Sequence, residues 1–319
     1  MINLLKMIKD QNDEFDPQYE SLKNSKFKQQ KMLSWRPTPT IGSTTITFAI
    51  FGCLFILVGI VIISFSNQII EKKLRYDEVC KQPSSQPKCF LDFKLNEKLV
   101  QPIMFYYEII NFYQDNRKYL KSKSNVQLSG ENLNVEYIQR DCDPIVLNKH
   151  LDKKFSLNGT PLDPEAPANP CGLIAKSAFN DTYKLFFEGK PVTINDKGIA
   201  WSRDIERYKR HPNYESVQWL DVTDEHFMVW MRPTGVPDFR KLWGKIETDL
   251  SPGTYQLVID NLFLIDSDSN NKIEKHIVLS TVSALGGNNK FLGIAYITVG
   301  SICLVMSILF FVGYKSHKS

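Results

Sequence analysis

Four cysteines and two N-glycosylation sequons are the residues whose types and spacing most directly imply chemistry. Cys80, Cys89, Cys142 and Cys171 share one long polar stretch, whereas Cys53 and Cys303 sit in apolar runs. Four thiols can pair in three ways. The economical choice joins sequence neighbours, Cys80 with Cys89 and Cys142 with Cys171. In the chain-entropy picture those loops stabilise by ~2.7 and ~3.6 kcal/mol before strain. Zinc is the alternative use of the thiols, but no C-x-x-C spacing exists and the five histidines are scattered. Asn158-Gly-Thr and Asn180-Asp-Thr lie in the same stretch and are acceptors for N-glycans. Oxidised cysteines and glycans belong outside the cytosol.

Other local patterns are weaker. Asp266-Ser-Asp268-Ser-Asn270 opens like a calcium loop, yet the sixth position is Asn271 instead of Gly and the twelfth is Ile277 instead of Glu. A polar hairpin tip between two strands is the expectation there. Gly286-Gly287-Asn288-Asn289-Lys290 lacks the phosphate-loop spacing and reads as a hinge and helix start. No nucleophile elbow, His-Glu-x-x-His or kinase signature appears. The expectation is no catalytic residue, no cofactor and no metal. A net charge of +4 is too small to imply a nucleic-acid partner.

The elements that carry these residues begin with two charge-free runs, Ile41–Ile70 and Phe291–Tyr314. A helix of ~22 residues covers the ~30 Å hydrocarbon core. The first run is longer than a signal-peptide core and follows a polar tail, so it should remain as an anchor. The expected layout is a tail over 1–42, a membrane helix over 43–66, a large domain over 67–290, a second membrane helix over 291–313 and a tail over 314–319. Basic residues tie on the two sides of the first span, with Lys26, Lys28, Lys31 and Arg36 before it and Lys72, Lys73, Arg75 and Lys81 after it. Cysteines and sequons decide the orientation: domain lumenal or extracellular, both tails cytosolic.

Within the spans, small residues recur every seventh position at Thr45, Gly52, Gly59 and Ser66, and again at Gly293, Gly300 and Ser307. That period keeps them on one helix face, where backbones can approach closely. Gly52, Gly59, Gly293 and Gly300 are therefore candidate contact positions, toward the other span or toward a second protein. Neither span holds an ionisable residue, so two such helices cannot line a polar pathway alone. The tail ends in Trp35-Arg-Pro37-Thr-Pro, with Trp35 suited to an interface.

The domain is expected to be an antiparallel β-sandwich-like fold with helical additions, making the whole an α+β membrane protein. Val192-Thr-Ile, Phe227–Met231, Tyr255–Ile259 and Ile277–Val282 read as strands. Leu99–Lys121 and Asp238–Glu247 read as helices, and residues 143–170, with five prolines, as a long surface loop.

Several ordered motifs together resemble the ligand-effect modulator 3 / cell division control protein 50 family. They are Phe27-Lys-Gln-Gln with Trp35-x-Pro37, Asn111-Phe-Tyr-Gln with Arg117-Lys-Tyr-Leu-Lys-Ser122, and Pro170-Cys-Gly-Leu-Ile-Ala with Phe179-Asn-Asp-Thr182. Gly198-Ile-Ala-Trp201, Val229-Trp-Met-Arg232, Pro237-x-Phe239-Arg-Lys-Leu242 and Gly286-Gly-Asn with Phe291-Leu-Gly-Ile-Ala-Tyr296 complete the set. The resemblance implies a non-catalytic accessory subunit of a type IV P-type ATPase, a phospholipid flippase. It implies a heterodimer with the ATPase alpha subunit, contact with membrane lipid, and a role in export from the endoplasmic reticulum and in activity. The home membrane would be the endoplasmic reticulum, Golgi or endosome, or plasma membrane. The tail, including Phe27, Trp35 and Pro37, would contact the pump. The chain departs from the family in four places: only Cys80 and Cys89 follow the first span where some members carry four cysteines, the loop from Cys142 to Cys171 is longer than expected, Ala284 stands where an aromatic is usual, and Ser202 follows Trp201 where a second Trp is common. A stand-alone surface receptor or adhesion protein is the competing reading.

Overall fold

The computed structural model describes residues 23–32, 39–80, 88–131, 133, 135–263 and 273–318. The two charge-free runs form long helices, Ile41–Asn67 and Lys290–Lys318. Both are apolar over most of their circumference and expose large aliphatic side chains such as Ile50, Leu57, Ile302 and Leu309. A helix with such a surface suits hydrocarbon, where the intrahelical ladder satisfies every backbone group.

The chain divides into two compact units, residues 1–57 with 297–319 and residues 58–296. In the first unit the long helices meet through small residues. A Cβ on Gly52 would lie 2.8 Å from Leu304 and 3.0 Å from the Gly300 carbonyl. Ser307 Oγ donates to Thr45 O at 2.9 Å, and Phe48 packs edge-on to Phe310.

In the second unit, the helix ends meet in the same way. A Cβ on Gly293 would lie 3.2 Å from the Gly59 carbonyl, and Ser66 Oγ donates to Asn288 Oδ1 at 2.8 Å. The rest of this unit is built on eight strands: β1 (Glu71–Arg75), β2 (Lys88–Leu95), β3 (Ile103–Ile110), β4 (Thr182–Phe187), β5 (Lys190–Val192), β6 (Phe239–Ile246), β7 (Gly253–Asp260) and β8 (Glu274–Thr281). They form two four-stranded antiparallel sheets, ordered β1-β8-β3-β6 and β2-β7-β4-β5. Alternation does the packing. Ile103, Phe105, Tyr107 and Ile109 of β3 are all buried, and so are Tyr255, Leu257 and Ile259 of β7. The two faces share one core, with the Phe105 ring 5.4 Å from that of Tyr183 in the other sheet. The fold is thus a β-sandwich with short helices, flanked in sequence by two apolar helices.

Three local expectations are overturned. The segment expected as a helix over Leu99–Lys121 instead contains strand β3 at Ile103–Ile110, with only Arg117–Lys121 helical. Its run of Ile, Phe and Tyr has no clear period, and β-branched and aromatic content favours a strand. Asp238–Glu247 is likewise strand β6, an edge paired to β3. Conversely, Phe227–Met231 belongs to a helix, Glu225–Trp230, started by Asp224, whose side chain accepts from the His226 N–H. β7 and β8 lie in different sheets, and the polar segment expected as a hairpin tip falls mostly outside the described residues. Its calcium-like stretch falls within 264–272, outside the described residues.

Candidate contact, linkage and modification sites

The four loop cysteines are joined as Cys80–Cys89 and Cys142–Cys171. Cys80 ties the turn after β1 to Cys89 on β2, and so links the two sheets. Cys142 ends the helix Val135–Cys142, and with Ile138, Val146, Ala168 and Cys171 it forms a second small core. Residues 143–170 are therefore only partly a surface loop, since Ile145, Val146, Asn148 and Ala168 are buried.

Gly172 shows why a glycine follows the second bridge. Its φ is +99°, and a Cβ would run into the Ser122 carbonyl. Ser122 in turn donates to Cys142 O at 3.0 Å and accepts from the Leu173 N–H at 2.8 Å. Three distant segments are thus fastened around one hydroxyl.

A buried ionic cluster fastens the sandwich. Lys275 on β8 is fully covered and donates to Asp181 Oδ2 (2.8 Å), to the Phe263 carbonyl (3.0 Å) and to Asn261 Oδ1. Tyr76 Oη donates to the same carboxylate oxygen at 2.7 Å, and Tyr183 Oη lies 2.9 Å from Tyr76 Oη. The other oxygen, Asp181 Oδ1, accepts from the Leu262 and Phe263 N–H groups, each at 2.6 Å. Burial pulls the Lys275 ammonium down and the Asp181 charge opposes it. Buried charges persist only when so fully bonded.

Two further sites seat charge against backbone. Lys241 is buried and donates to the carbonyls of Val229, Trp230 and Arg232, capping the C-terminus of the helix Glu225–Trp230. Burial lowers its ammonium to about 7. Glu225 accepts from three successive N–H groups, Gly198 (3.0 Å), Ile199 (2.8 Å) and Ala200 (2.9 Å). Burial pushes its carboxyl up, but those backbone bonds outweigh it and the net direction is down.

Both sequon asparagines are exposed. Asn158 is in a turn, and Asn180, two residues before β4, is on the wall of a cavity of about 690 Å³. Three ionisable groups of that cavity are engaged: Lys176 donates to His150 O at 2.9 Å and pairs with Asp152 at 3.5 Å, and Asp221 binds Arg210 at 2.5 Å. Among the described residues, no group of three or more His, Cys, Asp or Glu side chains comes together.

Phe27 is 77% exposed, in a turn closed by the Gln30 N–H to Phe27 O bond. Trp35 and Pro37 lie outside the described residues. Gly52, Gly59, Gly293 and Gly300 are buried by the chain's own long helices. Of the two contacts left open for these glycines, the structure provides the one between spans.

A family profile, LEM3 (ligand-effect modulator 3) family / CDC50 family, matches residues 9–319. This chain belongs to the LEM3/CDC50 family. Among its relatives, ALA-interacting subunit 3 of Arabidopsis thaliana is 35% identical, with 92% of this chain and 86% of that protein aligned. Cell cycle control protein 50A of Bos taurus is 33% identical, with 92% and 89% aligned. Cell cycle control protein 50B of Homo sapiens is 30% identical, with 92% and 94% aligned.

The CDC50-like motifs of this chain meet in space. Trp230 Nε1 donates to Ile174 O at 2.9 Å, joining two motifs, and a third reaches residues beside them: Gln114 Oε1 accepts from Thr234 N–H at 3.1 Å, and Tyr119 Oη is 2.7 Å from Ser177 Oγ. Sequence reasoning missed the Asp181–Lys275 pair and the Glu225 cradle. Separations of 94 residues in the first and about 25 in the second leave no local signal. The one available hint was an Asp inside the sequon Asn180-Asp-Thr, at the mouth of a strand.

Proposed function

We propose that this chain is the non-catalytic accessory subunit of a type IV P-type ATPase that moves phospholipid from the exoplasmic to the cytosolic leaflet. The observation that carries the reading is membership of the LEM3/CDC50 family over residues 9–319, with relatives named as ALA-interacting subunits. The two long helices support it physically. They hold no ionisable residue between Ile41 and Asn67 or between Phe291 and Tyr314, so any polar pathway must be supplied by a partner.

In this reading residues 67–290 are lumenal or extracellular and both tails are cytosolic. Two disulfides and two exposed sequon asparagines favour that side. The stiffened domain and the tail around Phe27, Trp35 and Pro37 grip the pump from opposite sides of the bilayer. Such a clamp favours the transport states to which it binds best, by the difference in its affinities for them. It also assists the pump's export from the endoplasmic reticulum.

The decisive experiment is affinity purification of the full chain in mild detergent with mass-spectrometric identification of what accompanies it. A P-type ATPase in near-equal amount is the expected result. Recovery of the chain alone, under conditions that preserve other membrane complexes, would overturn the proposal.

A further inference from the structure

We infer that the two sequons are modified at different stages of folding: Asn180 only before β4 joins its sheet, Asn158 also after the domain has closed. The inference rests on the proposed lumenal placement of the domain. In the transfer, the Asn amide nitrogen bonds to the anomeric carbon of an oligosaccharide carried on a polyprenyl diphosphate. The sugar–phosphate C–O bond breaks, the lipid diphosphate leaves with the electron pair, and the amide proton passes to the enzyme's base or to water. The transferase must seat Asn-x-Thr in its own cleft, so all three residues have to leave their other partners.

Asn180 is exposed, but its two companions are not free to follow it. Asp181 has no exposed side-chain surface and is held by Lys275, Tyr76 and two backbone N–H groups. Thr182 is the first residue of β4, in register with Asp260 of β7, and its Oγ1 donates to Asp260 Oδ2 at 2.8 Å. Presenting this tripeptide means peeling β4 from β7 and leaving Lys275 in the core without its carboxylate. Such openings approach global unfolding in free energy.

Asn158 is placed differently. Asn158, Gly159 and Thr160 are all exposed, and nothing lies within 4 Å of where a Cβ on Gly159 would stand. Thr160 donates its N–H (3.0 Å) and its hydroxyl (2.6 Å) to Asn158 Oδ1, bonds internal to the tripeptide. The bonds that anchor it run to two neighbours: Ser156, whose Oγ donates to Asn158 Oδ1 and Thr160 O, whose N–H donates to Thr160 O and whose carbonyl accepts from Gly159 N–H, and Glu215, whose carbonyl accepts from Asn158 N–H. An enzyme can therefore take this sequon without opening the core.

The test uses the full chain, purified from tunicamycin-treated cells so that both asparagines are bare. Intact mass confirms both disulfides. The sample is incubated with a purified oligosaccharyltransferase and lipid-linked oligosaccharide, and peptides spanning 154–164 and 176–186 serve as unfolded acceptors. Site occupancy is read by mass spectrometry. Both peptides should be modified, while in the folded chain Asn158 should be modified at least about tenfold faster than Asn180, because reaction scales with the open fraction. Lys275→Ala, which loosens the clasp, should raise Asn180 occupancy. Modification of Asn180 in the folded chain at the rate of its peptide would overturn the inference, as would a refractory Asn158 in the folded chain or a 176–186 peptide that is not accepted. Each outcome is read in vitro, independently of whether an ATPase accompanies the chain.

Discussion

Lys275 and Asp181 set the strongest expectation at the scale of single residues. Removing one member leaves the other charged and buried, which typically costs about 3–5 kcal/mol. Lys275→Met should therefore lower the midpoint of chemical denaturation sharply, and adding Asp181→Asn should recover part of the loss. A double variant no better than the single one would show that the pair is not coupled. Acid should act through Glu225, Asp77 and Asp221, whose carboxyls the folded state holds below their ordinary range: burial pushes each up, and the hydrogen bonds each accepts outweigh it. For such groups the unfolded chain binds the extra protons, so their stabilisation is complete above the ordinary carboxylate pKa and is lost as pH falls through the folded value. The carboxylate contribution to the melting temperature should hold steady down to about pH 5 and fall below that. Glu225→Gln should start lower and fall less steeply, as measured by thermal melts across pH.

Among the elements, the two long helices were legible because absence of charge over more than twenty residues has few other causes. Their contact was legible only as a face, since a seven-residue period shows which side is small and not what lies opposite. The structure places Gly52 by Gly300 and Gly59 by Gly293, stepping in opposite directions as antiparallel helices must. With Cys53 and Cys303 replaced by Ser, Gly52→Cys combined with Gly300→Cys should form a disulfide under mild oxidant, because a Cβ on Gly52 would stand 3.0 Å from the Gly300 carbonyl oxygen and one on Gly300 2.9 Å from that of Gly52. After cleavage of the intervening domain, the halves should separate on gels only when reduced; separation without reductant would refute the seam. Strands β7 and β8 were readable as short runs rich in β-branched and aromatic residues between breakers. β3 and β6 were not, because Ile103–Ile110 is apolar on both faces and a continuous apolar run suits either element. The helix Glu225–Trp230 misread as a strand for the converse reason: its aromatic residues describe the pocket that Trp230 fills, not the backbone it prefers.

For the whole molecule, the second bridge joins a small separate core to the rest through Gly172 and Ser122. Cys171→Ser should loosen that core and, in the proposed complex, reduce delivery of the ATPase to the cell surface several-fold, as scored by surface biotinylation. Unchanged delivery would dissociate the bridge from export. The fold also fixes where a pull between the membrane helices would be felt. The strand that follows the first helix, β1, is the hydrogen-bonded neighbour of β8, the strand that leads into the second. Because the pair is antiparallel, both helices leave from the same end of one ladder. Ser66 with Asn288 and Asn289 closes that end, followed by Ile70 with Thr281. Drawing the helices apart would load these bonds one after another, as in opening a zip, and never all at once. The hydroxyl of Ser66 is the pull-tab.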